Sequence, residues 1–142
     1  MPITNISEKI RTAYLVSGVV VERDGKFLLV QEKKTEVYGK WNLPAGKAEV
    51  GLTLEENAIK EAKEETGYDV EIIRSVGIYH GEGDRSVRFA YKAKITGGDI
   101  SFDKSEILEV RWFSYAELQK MDKDGEIRNF WVMQAIEDSQ KN

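Results

Sequence analysis

Three carboxylates, Glu61, Glu64 and Glu65, crowd a short stretch of "LTLEENAIKEAKEETGY". At about 100° per residue they share an arc of roughly 100° on one side of a helix. Asn57 lies on the same side. Each like-charged i,i+4 pair costs an isolated helix about 0.2–0.5 kcal/mol. A hard divalent cation reverses that sign, because Mg²⁺ takes oxygen ligands and binds through one or two carboxylates plus substrate phosphates. The preceding segment, "WNLPAGKAEVG", supplies backbone carbonyls near Gly46 with no side chain to block close approach. The same charge run, taken alone, also fits a solvated helix face on which Lys60 pairs with glutamates four residues away.

The elements that must position these groups follow from the pattern. Thr12 to Val21 is β-branched and aromatic and predicts a strand. Asp24-Gly25 marks a hairpin turn into a second strand, "KFLLVQE". Thr53 to Thr66 predicts a helix, with Thr53 and Glu56 as a capping box and Gly67 as its stop. Leu54, Ala58 and Ala62 form its apolar stripe, and Glu65 borders it. "DVEIIRSVGIYH" predicts two short strands. "SVRFAYKAKI" alternates, with Val87, Phe89, Tyr91 and Ala93 on one face. "ILEVRWF" is the last strand. Ser114 and Glu117 open a short helix, and Glu126 to Asp138 is the C-terminal one. Strands, helix, strands and helices in that order imply one α/β (α+β) layered domain, a mixed sheet with helices on its faces.

The segment "GKAEVGLTLEENAIKEAKEETGY" resembles the Nudix box: Gly, five residues, Glu, seven residues, Arg-Glu-aliphatic-x-Glu-Glu-x-Gly-aliphatic. Gly46, Glu61, Glu64, Glu65 and Gly67 match its frame without a gap, which is far more specific than a lone glycine loop. "WNLPAG" ahead of it and "EVRWFSYAEL" near the C-terminus extend the resemblance over nearly the whole chain. The resemblance implies a Nudix fold, an α/β/α sandwich around a mixed sheet. It also implies a Mg²⁺-dependent hydrolase, with Mn²⁺ as the other option, that cleaves a diphosphate linked to a nucleoside or related group. Gly46, Glu61, Glu64 and Glu65 would be the metal ligands, with Glu61 and Glu64 catalytic. Glu106, six residues ahead of Trp112, sits where several members carry a further ligand or general base; its alternative is a plain surface glutamate.

Two positions depart from the motif. Its first glutamate falls on Leu52 and its arginine on Lys60. In the family these two side chains orient the helix and loop, partly by pairing with each other. Their joint loss keeps open an alternative: a catalytically impaired Nudix domain acting as a nucleotide sensor. Tyr68 in place of an aliphatic residue is a mild change. "WNLPAGKAE" with "VRFAY" is similar to branches acting on thiamine pyrophosphate, on nucleotides and on oxidised nucleoside diphosphates, and does not choose among them.

Arg88 and Lys47 are candidate phosphate-binding cations, with a solvent-facing arginine as the alternative for Arg88. Trp41 is a base-stacking or core residue. Trp112 is expected in the core, Phe130 and Trp131 are expected to dock the last helix, and His80 to hydrogen-bond in a loop.

The totals bound the rest. The chain has 142 residues, enough for one domain and one real core. It is 41% apolar and 32% charged, an ordinary globular composition. Its 25 acids and 21 bases leave a net charge of −4, no footprint for nucleic acid. RNA processing is therefore the least favoured function. Without cysteine, disulfides and thiolate metal sites are excluded. No segment is apolar and long enough to span a bilayer, so the expectation is a cytoplasmic protein. Its expected partner is a small nucleotide or diphosphate, without nucleic acid or membrane, and a homodimer is the oligomeric option.

Overall fold

The computed structural model describes residues 10–141. Among these residues, seven strands and three α-helices form an α/β/α sandwich: β1 (Tyr14–Arg23), β2 (Lys26–Glu32), β3 (Trp41–Asn42), β4 (Ala45–Lys47), α1 (Leu54–Thr66), β5 (Tyr68–Tyr79), β6 (Ser86–Gly98), β7 (Ile107–Ser114), α2 (Tyr115–Lys123) and α3 (Phe130–Ser139). The main path of the sheet runs β3-β2-β1-β6-β5, with β4 on β1 and β7 on β2. β1 and β6 are parallel and the other strand pairs antiparallel, so the sheet is mixed.

Both faces of the sheet are covered. On one, Ala58 and Ala62 of α1, both fully buried, pack on Val19, Val21, Leu28 and Val30. On the other, Leu118 of α2 and Trp131, Val132 and Ile136 of α3 pack on Val20, Phe27 and Leu29. Alternate residues of β1 and β2 thus feed opposite cores, as a pleated strand requires. The same split runs through β6: Tyr91 and Ala93 face α1, whereas Ala90 belongs to the α3 side.

Local signals set the start and end of α1. Thr53 Oγ1 accepts the Glu56 N–H at 3.1 Å, and Glu56 Oε1 accepts the Thr53 N–H at 2.8 Å. Gly67 closes the helix at φ 88°, its N–H donating to the Lys63 carbonyl. A β-carbon there would run into the Asp99 carbonyl and Ser101 N.

Two expectations change. The segment from Tyr68 to Tyr79 is one strand, not two. Its pairing with β6 slips at Asp69/Val70, Ile72/Arg74 and Ser75/Gly77, and these bulges are what break the alternation of its side chains. The last helix begins at Phe130 and not at Glu126. Trp41 N–H donates to the Glu126 carbonyl and Arg128 N–H to the Trp41 carbonyl, each at 2.9 Å, so the stretch before the helix lies along β3. Asn129 then caps α3 through the Trp131 N–H.

Among the described residues no helix is long and apolar enough to cross a membrane.

Candidate functional site

The acidic face of α1 lies against β4. Ser17 on β1 pairs with Gly46, and Gly18 with Ala45, which fixes β4 beside the middle of the sheet. Glu61 packs directly on Gly46: a β-carbon at Gly46 would fall inside its carboxyl group. One turn later Glu65 reaches back, and its Oε1 accepts the Ala45 N–H at 3.0 Å. Two carboxylates therefore bracket β4. Glu64 lies outside them, exposed and ion-paired with Lys60, whose Nζ is also 3.2 Å from Glu49 Oε1.

Burial pushes the Glu61 carboxyl above its ordinary pKa; the Glu64 charge adds to this, Lys60 opposes it, and Glu49 and Glu106 push further the same way. Burial lifts Glu65 well above its ordinary value, with Glu61 adding and the Ala45 hydrogen bond opposing. The hydrogen bond to Glu64, then that to Glu49, pushes the Lys60 ammonium up. Among the described residues Glu61 and Glu65 have no ion-pair partner. Carboxylates and the Gly46 carbonyl are hard oxygen donors of the kind Mg²⁺ takes, and a cation offsets both the burial and the repulsion that raise these pKa values.

The three glutamates share one face, as the helical wheel requires, but do not meet at one point. Among the described residues no three acidic or histidine side chains form a ready metal cage. Glu64 is drawn outward by Lys60 and Glu65 inward by Ala45. Glu106 is exposed in the turn before β7, its N–H donating to the Asp103 carbonyl at 2.9 Å, and its charge is felt at Glu61.

Arg88 is neither free in a cleft nor facing solvent. It is 8% exposed and ion-paired with Asp84, which also accepts the Ser86 N–H at 3.1 Å. Lys47 is exposed at the end of β4, with Nζ 4.0 Å from the centre of the Tyr14 ring. Trp41 is in the core, 5% exposed, and meets Phe113 edge-on at 4.8 Å. Trp131 docks α3 and donates from Nε1 to Asn42 Oδ1 at 3.1 Å. Phe130 does not dock: as the first residue of α3 it is 53% exposed beside Gly81. Trp112 is half-buried under Arg23, whose guanidinium carbon is 4.5 Å from the ring centre. His80 is exposed, its Nδ1 2.9 Å from the Ser86 carbonyl oxygen.

Lys60 pairs with Glu64 four residues on, as expected, but sequence reasoning did not find the other partners of these groups. Glu49 holds Lys60, Asp84 holds Arg88, and buried Glu32 receives Arg128 at 3.2 Å. Only Asp84 had a local signal, an acid four residues from an arginine.

The sequence profile of the NUDIX domain matches residues 12–133. The chain is 34% identical over 123 residues to the NAD-capped RNA hydrolase NudC of Vibrio atlanticus, covering 87% of this chain and 45% of that protein. It is 35% identical over 103 residues to the 8-oxo-dGDP phosphatase NUDT18 of Danio rerio, covering 70% of this chain and 31% of that protein. The chain thus spans less than half the length of these curated relatives. Among solved structures, a NUDIX hydrolase from Nitrosomonas europaea superposes with a TM-score of 0.81 at 31% identity, over 90% of this chain and 88% of that one. An ADP-ribose pyrophosphatase from Streptococcus suis superposes with a TM-score of 0.73 at 27% identity, over 92% and 95%. With this match across most of its length and an acidic helix laid on Gly46, the chain belongs to the Nudix hydrolase family.

Proposed function

We propose that the chain is a divalent-metal-dependent pyrophosphohydrolase that cleaves the diphosphate bond of a small nucleoside diphosphate derivative. The observation that carries this reading is the bracketing of β4 by Glu61 and Glu65, which sets two half-buried carboxylates, without a basic partner among the described residues, beside the Gly46 backbone. The Gly46 carbonyl and Glu61, Glu64 and Glu65 would hold Mg²⁺ or Mn²⁺. When bound, the metal supplies charge neutralisation on the diphosphate and a lowered pKa for a bound water.

The rest of the chemistry belongs to the chain. Burial raises the Glu61 carboxyl above its ordinary value, the direction that favours a general base. We assign Glu61 and Glu106 to take up the proton released as water attacks phosphorus. Lys47 is the exposed cation nearest in sequence to Gly46, and we assign it to a non-bridging phosphate oxygen. Arg88 serves the same end only by exchanging Asp84 for phosphate, a trade of one charge-assisted hydrogen bond for another.

NAD-capped RNA, 8-oxo-dGDP and ADP-ribose, the compounds these relatives are named for, all contain a nucleoside diphosphate. A net charge of −4 favours the small members of that group over RNA. The test is hydrolysis of a panel of nucleoside di- and triphosphates, sugar nucleotides, dinucleotides and thiamine pyrophosphate, with Mg²⁺ and with chelator. Turnover of at least one compound with Mg²⁺, abolished by chelator, is the expected result. A second reading, a nucleotide sensor, draws on Leu52 and on the engagement of Glu64 by Lys60. Calorimetric binding of a nucleotide without turnover at saturating Mg²⁺ would favour it.

A further inference from the structure

Leu52 removes the motif's acid from the loop between β4 and α1, yet one side chain still ties that loop to β1 and β4. Asn57, on the second turn of α1, is 0% exposed. Its Oδ1 accepts the Glu49 N–H at 3.2 Å. Its Nδ2 donates to Ser17 Oγ at 2.9 Å and to the Gly46 carbonyl oxygen at 3.1 Å. A carboxamide has two N–H donors, and both are used here. The orientation is fixed by its partners: a flipped amide would set an N–H against the Glu49 N–H and an oxygen against the Gly46 oxygen.

The three contacts join three parts of the fold. Ser17 belongs to β1, Gly46 to β4 and Glu49 to the loop. The helix carrying Asn57 is seated one residue away by fully buried Ala58. Glu49 is held a second time, by Lys60 at 3.2 Å, but that pair is 41% and 52% exposed and contributes little. The buried amide is the stronger tie.

We propose that Asn57 is the positioning residue of this site, fixing the Gly46 carbonyl and its loop against Glu61 in place of the acid that Leu52 lacks. This rests on the reading of Gly46 and the glutamates as a divalent-metal site. Alanine at 57 empties the contact. Leucine, close to asparagine in shape, fills the space and removes all three hydrogen bonds.

The test is Mn²⁺ binding to the full chain without substrate, followed by electron paramagnetic resonance of the free ion, together with amide hydrogen exchange over residues 46–51 in the metal-free protein. Asn57→Ala and Asn57→Leu are compared with Tyr79→Phe, which loses the 2.7 Å hydrogen bond to Asp138 on the opposite face and serves as the destabilised control. Both Asn57 variants are expected to bind Mn²⁺ about tenfold or more weakly and to exchange faster over 46–51, with Tyr79→Phe unmoved in both. Wild-type Mn²⁺ affinity in a folded Asn57 variant, or an equal loss in Tyr79→Phe, overturns the role of Asn57 alone. A wild-type chain that binds no Mn²⁺ overturns the metal-site reading and the proposal with it.

Discussion

The Glu65 carboxylate accepts the Ala45 N–H at 3.0 Å, so the last turn of the acidic helix is tied to the strand that carries Gly46. The bond needs an acceptor, not a charge. Burial disfavours that charge and raises the Glu65 pKa well above its ordinary value. A raised carboxyl pKa means stability present at low pH and lost as pH rises through it. Glu65→Gln keeps an acceptor for Ala45 and removes the cost. Its thermal midpoint at neutral pH without metal is expected to equal or exceed wild type, while its Mg²⁺-dependent activity falls. Glu65→Ala, which strands the Ala45 N–H, is expected to lose about 1–3 kcal/mol by denaturant titration.

Asp84 and Arg88 give the opposite pH dependence. Burial pushes the Asp84 carboxyl up, but the Arg88 and Ser86 hydrogen bonds and the Arg88 charge together outweigh it, and the net shift is down. A lowered carboxyl pKa contributes stability above the unfolded value of about 3.9 and loses it as pH falls through the folded value. Asp84→Asn should therefore show a shallower loss of stability on acidification below about pH 4 than wild type. At neutral pH it leaves the Arg88 guanidinium, 8% exposed as a residue, without its counter-charge, at a cost of about 3 kcal/mol. Denaturant melts at pH 7 and pH 3 measure both effects.

Gly67 is where the acidic helix must stop. Its φ of 88° disfavours any residue with a side chain, and a β-carbon would also strike the Asp99 carbonyl and Ser101 N. Gly67→Ala is expected to lose more than the roughly 1–2 kcal/mol of the left-handed conformation alone, because backbone is the obstacle. Gly51→Ala makes the comparison: φ is 94°, but nothing lies within 4 Å of an added β-carbon, so its loss should be the smaller of the two. Thermal melts of the two variants decide it.

What the sequence made legible was local. The capping box of Thr53 and Glu56, the Gly67 stop and the Ala58–Ala62 stripe are written within one helix and appear as expected. Asp24-Gly25 turns the first hairpin through two positive φ angles, 53° and 76°. The misread elements are those whose state is set from a distance. β5 stays one strand because β6 pairs along its whole length, bulges included. Glu126 to Asn129 has helical spacing but is drawn out of helix by Trp41. The site divides the same way. Glu61, Glu64 and Glu65 were visible as a cluster, whereas the work of Asn57 depends on Ser17 and Gly46, 40 and 11 residues away in the chain. Leu52 and Lys60 were visible as departures, but the answering Glu49 is found only where the loop folds onto α1.

The central claim is that the carboxylates of α1 act through a bound divalent cation. Glu64 tests it most cleanly, being exposed and, among the described residues, ion-paired only with Lys60, so that Glu64→Gln should fold as wild type does. The decisive measurement is the rate of hydrolysis of the best substrate by wild type and Glu64→Gln across a Mg²⁺ titration. The account predicts a loss of about a hundredfold or more in the variant at equal Mg²⁺, with unchanged thermal stability in the metal-free state. Undiminished activity in Glu64→Gln, or wild-type turnover that persists in chelator, would contradict it.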